Sequence, residues 1–591
     1  MNSSGTRHPT RYVLICVCVQ NITRALSMKQ EFRTPSTEII LSELHRPKNP
    51  SVSDSTTAII VTEGDTENEN IAKWKAGRRE WSIVACLLII NVVVALDGTI
   101  LVPVLPIIAN ALHGNATDVF WTGTSYMLAN AIVQPLMAQF SDVFGRRCSF
   151  MLALCSFTIG LVICSIASNF TLLLVGRVVS GIGSGGCMAM AMSILTDIIP
   201  LRQRPTFQSL VALAWAAPGI TGPFIGGMLA SERTWRWCFY LNFPFCLITL
   251  IMAPLVVRLT TARPDTTCFH LLKSIDWMEC LLFIGSTCSF LLGFTRGGTE
   301  KPWSSFPVWG CLMFGGLGIA AALAWECVGA KRPFLRLQVF TSTSSNAAYF
   351  CAFVQGILVY CIIYLLPFYF EACKNHSPSQ AGLDLMAITA SMVASSTVTS
   401  LITTYLGQYR WAVWFGCILA GLGHGLLILL DENTPAVVWA PILVILGMGH
   451  GALIMSLICC VLATVQVEDA THAAVAYSFM RSLGLCIGVA IAGTIFQNAM
   501  YHHLGDLRLP TEVAGNAEAF LEVIKSLPRG SVQRHQFVLA YSRSFRTVFE
   551  VLVGLMGLKI LASFLIQNRT LSQNLGSEYF IPRSRVERMR L

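Results

Sequence analysis

Charge is what this chain has least of. Asp, Glu, Lys and Arg make up 12% of its 591 residues, against roughly 25% in an ordinary soluble domain. Hydrophobic residues make up 54%, and mean hydropathy is +0.61. That excludes a soluble globular or disordered protein over most of its length. The charge present gathers near the two termini and in short breaks between apolar runs.

Patterned cysteine is also missing. None of the 21 cysteines forms a Cys-x-x-Cys pair, and most fall inside apolar runs. They read as small packing residues, not a disulfide frame or zinc site. No His-rich cluster, nucleophile elbow or phosphate-cradling loop stands in a suitable context, so an enzyme with catalytic residues, metal or cofactor is not expected. The net charge of +9 does not require a nucleic-acid partner, because basic residues in loops between membrane spans account for it.

What is present is a series of long apolar runs with few charges. A hydrocarbon core of about 30 Å needs roughly 20 apolar residues in a helix. Fourteen runs approach this: 82–104, 119–140, 149–168, 171–193, 206–230, 237–257, 277–295, 307–327, 346–370, 381–404, 411–430, 437–463, 473–496 and 547–566. The last holds Glu550 and Lys559, which face the bundle interior unless Lys559 snorkels to the surface. Residues 1–78 are rich in Ser, Thr, Asn and Glu and read as a disordered tail. Within them, the apolar run after Arg11-Tyr12 is short, and no cleavage site typical of a signal peptide follows.

An even number of spans puts both termini on one side. With the N-terminus inside, the inner short loops carry Arg146, Arg147, Arg202, Arg204, Arg258, Arg263, Lys273, Lys331, Arg332, Arg336 and Arg410. The outer ones carry only Arg233, Arg236, Arg296, Lys301 and Lys374. This asymmetry predicts cytoplasmic termini. The segment 500–546 reads as a long outer loop. The sequons at Asn115 and Asn169 fall on expected outer loops and are candidate glycosylation sites.

The charged turn at 138–150, AQFSDVFGRRCSF, resembles the loop motif of the major facilitator superfamily through Asp142, Gly145, Arg146 and Arg147. Ala138 stands where that family usually has Gly. Residues 95–112 are similar to the first-helix motif of its fourteen-span drug:proton antiporter branch, through Leu96, Asp97, Thr99, Ile100 and Pro106. Arg177, Gly181, Gly183 and Gly185 resemble the family's fourth-span pattern. Gly222, Pro223, Gly226 and Gly227 resemble the antiporter motif of the fifth, with Pro218 in place of a usual Gly. In the second half the likeness is looser: Ser377-Pro378 and Ala381-Gly382 open the tenth span, with Ala387 where a Pro is frequent.

The resemblance implies an all-α integral membrane protein with two six-helix bundles around a cavity and two inserted helices, fourteen spans in all. The expected parts are a cytoplasmic tail 1–78, an N-terminal bundle 79–258, inserted helices 259–336, a C-terminal bundle 337–566 and a second tail 567–591. It implies proton-coupled efflux of a small, largely apolar toxin, drug or secondary metabolite. The expected form is a monomer in the plasma membrane, with the substrate, protons and the lipid bilayer as partners. Within the branch the chain looks most like fungal efflux pumps. Uptake or vacuolar transport of a nutrient such as a basic amino acid or iron chelate is the alternative. A cationic substrate would favour several buried carboxylates, and Asp97 is the clear one deep in an early span.

Asp97 is accordingly the leading proton-site candidate, since an ionised carboxylate in lipid is costly and its protonation can be coupled to conformation. Arg177 sits inside an apolar span, where it can hold a proton-carrying carboxylate or a network of backbone carbonyls. Arg481 is a similar candidate in the thirteenth span. The Asp142–Arg147 turn is expected to gate the inner face. Gly222 and Gly226, four residues apart, let a facing helix approach closely, and Pro223 can bend its own. His424 and His450 lie inside spans and read as structural before functional. Tyr126, Gln134, Trp215, Gln355 and Tyr360 are candidate cavity-lining residues by span position, with plain helix packing as the alternative.

Overall fold

The computed structural model describes residues 76–569 and 571, apart from 102–103, 114–115, 233, 260–274, 299–300, 329–335 and 529. Most of both expected tails and the Asn115 sequon lie outside the described residues.

Long apolar runs with few charges leave the backbone one economical solution in lipid, the helix, which satisfies its own N–H and C=O groups. The chain folds as α1 (Arg78–Thr99), α2 (Leu105–Leu112), α3 (Ala116–Phe144), α4 (Arg146–Ser165), α5 (Phe170–Ile198), α6 (Arg204–Glu232), α7 (Trp237–Tyr240) and α8 (Phe243–Val256). After it come α9 (Trp277–Arg296), α10 (Phe306–Val328), α11 (Thr343–Cys373), α12 (Pro378–Asp384), α13 (Met386–Leu406), α14 (Arg410–Leu427), α15 (Ala436–Thr464), α16 (Ala470–Asp506), α17 (Ala517–Ser526) and α18 (Val532–Ser563). Eleven helical stretches among the described residues are long and apolar enough to cross a membrane. The long helices α3, α6 and α18 lie at three further expected spans but are not among the eleven.

The segment expected as a long loop is shorter than its 47 residues, because α16 runs on to Asp506 and α18 already begins at Val532. Between them stand a 3-10 turn (Thr511–Asn516) and α17. Ser531 caps α18 by accepting from Arg534 N at 3.3 Å. The amphipathic α17 packs beside α11, and Tyr541 of α18 donates to the Ala517 carbonyl at 2.7 Å. Side-chain polarity there ended the apolar run without ending the helix.

Two large hydrophobic cores form, beside a small cluster of Leu136, Ile275, Cys280, Phe283 and Phe479. One draws on α1 to α8, the other mainly on α11 to α18. They meet where α3 packs on α16 and α6 on α13, while α9 and α10 pack chiefly on each other. In the first, the glycines of α5 set the spacing. A Cβ on Gly181 would lie 2.6 Å from the Tyr126 carbonyl oxygen of α3, and one on Gly183 would strike the Phe157 backbone of α4. Alternate glycines thus let α5 nest against two neighbours at once.

Candidate transport site

Asp97, near the end of α1, and Arg177, in the second turn of α5, meet inside the first core. Arg177 Nη1 donates to Asp97 Oδ2 at 2.8 Å. Both are buried, with side chains 0% and 2% exposed. Arg177 Nε donates to the Thr122 carbonyl of α3 at 3.2 Å, and the guanidinium lies 4.1 Å from the centre of the Tyr126 ring. Tyr126 in turn donates to the Val94 carbonyl at 3.3 Å. Asp97 Oδ1 has no hydrogen-bond partner among the described residues. The group therefore has one carboxylate oxygen engaged and one open. A proton on Asp97 would cancel the negative charge that now faces Arg177.

The motif of the fifth span stands against the end of α1, at Thr99 and Ile100. Thr99 Oγ1 donates to the Pro218 carbonyl of α6 at 3.0 Å. A Cβ on Gly222 would collide with Thr99 Oγ1, and one on Gly226 with the Ile100 carbonyl oxygen. A Cβ on Gly227 would meet nothing within 4 Å. Gly222 and Gly226 thus share the α1 face, and Gly227 points away. Of Pro223 the structure describes the backbone alone, which continues α6.

The charged turn forms a second cluster at the end of the bundle expected to face the cytoplasm. Gly145, with φ at 85°, is the N-cap of α4, a left-handed position that side chains resist. It lets α4 reverse so that Arg146 turns inward. Arg146 bonds Asp142 at 2.9 Å and Asp197 of α5 at 2.8 Å, and also donates to Ser141. Asp142 accepts from His472 of α16 at 2.6 Å and from Arg336 at 3.4 Å. Arg336 also bonds Asp469 at 3.1 Å, and Thr471 donates to Asp197 at 2.9 Å. Arg202 bonds the Thr404 and Tyr405 carbonyls across the same seam. The two halves are tied together at this end. Arg147 takes no part; it is exposed and lines a basic recess with Arg78, Arg79 and Arg258.

Burial works to raise the Asp142 carboxyl, but the hydrogen bond and charge of His472, with Arg146 and Arg336, hold it down at about 2. Its support of this face is fully present above about pH 4 and lost as pH falls toward 2. The difference in Tm between the wild type and Asp142→Asn is expected to persist at about pH 5 and to shrink only below about pH 4. A difference that already shrinks between about pH 6 and about pH 5 would show that the carboxyl is not held down.

The remaining candidates separate. Gln134 is buried at the seam, donating to Asn130 Oδ1 at 2.9 Å and to Ser482 Oγ of α16 at 2.8 Å. Trp215 is half-buried and donates to Asn91 at 3.1 Å. Tyr360 is half-buried on α11. Gln355 is buried within the second core beside Lys559, not at the seam with Gln134. Arg481 does not join Asp97 and Arg177; its Nε has no partner among the described residues. Asn169 is exposed at the opposite end of α4 and α5 from Asp142, and its side chain caps α5 by accepting from Leu172 N at 2.8 Å. Reading the sequence missed Asp197, Asp469, Thr471 and His472. Asp197 ends one apolar span, and Asp469, Thr471 and His472 sit in a short polar stretch before another; only the fold shows that they converge.

A family model described as the Major Facilitator Superfamily matches residues 87–489. A relative named MFS transporter L2, from Phoma sp., is 33% identical and covers 90% of each chain. A relative named MFS-type efflux pump LUC4, from Fusarium sp., is 30% identical over 85% of this chain and 90% of its own. Among solved structures, the proton:xylose symporter XylE superposes with a TM-score of 0.53 at 12% identity, covering 83% of this chain and 97% of its own. That likeness concerns the fold.

Proposed function

We propose that this chain, which belongs to the major facilitator superfamily, exports a small, largely apolar molecule from the cytoplasm in exchange for protons. It is a multi-pass membrane transporter, and alternating access follows from two cores joined along a seam. The observation that carries the reading is the Asp97–Arg177 pair, a buried acid with one free oxygen held by a buried cation. Protonation from outside would release Arg177 and loosen α1 from α5. Release inward would restore the pair. The Asp142 cluster then serves as the inner latch, closed in this structure. Efflux as the direction is supported by the name of the Fusarium relative and by Gly222 and Gly226 in α6.

The test is transport into inside-out vesicles carrying the full chain, screened with candidate toxins. Accumulation of a transported toxin is expected to fall at least about tenfold when the pH gradient is collapsed, a difference of ~1.4 kcal/mol in driving force. Accumulation indifferent to the gradient would sink proton exchange. We place the chain in the plasma membrane, as a monomer with Asn169 open to glycosylation. A tagged chain seen at the vacuole would turn export into storage.

A further inference from the structure

Lys559 is fully buried in α18, inside the second core. This settles the choice left open by the sequence: it does not snorkel. Glu550, nine residues earlier, is exposed and pairs with Arg546 at 3.2 Å. Lys559 Nζ donates to Gln355 Oε1 of α11. No carboxylate pairs with it among the described residues. The ionisable groups that face it are Cys351 of α11, Cys417 and His424 of α14, and His450 of α15. α16 also packs on α18, but its histidine there, His503 beside Thr547, is twelve residues along α18 from Lys559 and is not among the groups that face it.

The two histidines are as poorly satisfied as the lysine. Their rings meet edge to face with centres 5.1 Å apart, and both are fully buried. His424 Nδ1 lies 2.7 Å from the Ala420 carbonyl, so that nitrogen carries a hydrogen and Nε2 is left open. Neither ring nitrogen of His450 has a hydrogen-bond partner among the described residues. Three bases therefore stand together in an apolar core with no carboxylate to balance them among the described residues. Mutual repulsion lets such a group hold one excess proton, not two or three. Buried polar groups left unpaired in this way are costly, and a proton-handling role is one of the few reasons to keep them.

We propose that Lys559, Gln355, His450 and His424 form a proton-binding site of the second core, holding one exchangeable proton whose departure alters the contact between α11 and α15. Gln355 is the reporting element. Its Oε1 accepts from the ammonium while its Nε2 donates to the His450 carbonyl at 3.2 Å. When the ammonium gives up its proton, the amine has a lone pair in its place. Where the proton lost is the one facing Gln355, the lone pair left there repels Oε1, the amide rotates to present Nε2 to it, and the bond to His450 of α15 is lost. The neighbouring Gly356 is where α11 touches α16: a Cβ there would strike the Arg481 carbonyl. The next residue along α16, Ser482, bonds Gln134 across the seam. A shift of α11 is thus one contact from the interface between the halves.

This inference deepens the reading of the chain as proton-driven, and its test has one arm that does not depend on transport. Purified full-length protein in lipid nanodiscs, lightly buffered, is titrated between roughly pH 5 and pH 9 while bound protons are counted. The wild type is expected to exchange about one proton more than Lys559→Arg, because arginine keeps the charge without releasing it. Lys559→Met combined with His424→Asn and His450→Asn, which leaves no base at the site, is expected to show the same deficit and covers the case in which the arginine does not fit. Equal counts in the wild type and the folded variants overturn the proposal. In the vesicle arm, Lys559→Arg is expected to keep exchange of labelled for unlabelled toxin and to lose gradient-driven accumulation at least about tenfold. A cation of merely structural use would be rescued by arginine in both measurements, which also overturns the proposal. Should the wild type itself ignore the gradient, coupled export fails, and the proton count alone decides the site.

Discussion

Asp97→Asn is expected to abolish gradient-driven accumulation in inside-out vesicles, by at least about a hundredfold, while leaving toxin-for-toxin exchange within a few fold of the wild type. The substitution preserves shape and keeps an oxygen for Arg177, but it removes the proton acceptor. Without a titrating group, the site can still pass through its two conformations with substrate bound, and it can no longer be driven. The stability cost separates this from simple damage. Arg177 keeps its bond to the Thr122 carbonyl and its place over Tyr126, yet loses its counter-ion in a site it cannot leave. Removing one partner of a buried pair costs about 3–5 kcal/mol. A lower Tm is therefore expected, and the double change Asp97→Asn with Arg177→Gln should recover part of it without recovering accumulation. Accumulation retained in Asp97→Asn would show that the coupling proton binds elsewhere.

Much of this architecture was legible in the residues. Apolar runs of membrane length with few charges fix helices, because no other backbone arrangement satisfies itself in lipid. Asp97 and Arg177 stood out singly, since an ionised group in such a run is expensive. Their pairing was legible only as an expectation that Arg177 holds some carboxylate. The residues lie 80 apart, and the glycines that bring α5 against α3 and α4 decide which acid it meets. Arg481 looked equivalent on the same grounds and joins neither partner. The inner cluster was half legible. Asp142 and Arg146 share one turn and so share a motif, but His472 reaches Asp142 from 330 residues away. Lys559 was the least decidable. Whether a lysine in a span snorkels or turns inward depends on which face its helix presents, and α18 has a weakly amphipathic pattern that does not say.

The glycines of α6 give a sharper test, because two adjacent residues make opposite predictions. Gly226 faces α1 so closely that a Cβ would drive into the Ile100 carbonyl oxygen, which cannot yield without moving the helix. Overpacking of that kind costs about 1–3 kcal/mol where the backbone can shift. Here the shift acts on a residue three positions after Asp97, next to Thr99 and its bond to Pro218. Gly226→Ala is therefore expected to lower Tm and to cut accumulation at least about tenfold. Gly227→Ala should leave both within error or raise Tm slightly, since its Cβ enters open space and alanine favours the helix by about 1 kcal/mol. If α6 merely needed flexibility, the two substitutions would behave alike, because each removes one glycine from the same turn. If close approach to α1 is what the motif provides, only Gly226→Ala fails, and Gly222→Ala falls between them, since Thr99 can rotate its hydroxyl aside at the loss of the bond to Pro218. The ranking Gly226, Gly222, Gly227 in accumulation and in Tm thus reads out a distance between two helices, and equal losses at all three would remove α1 contact as the reason for the motif.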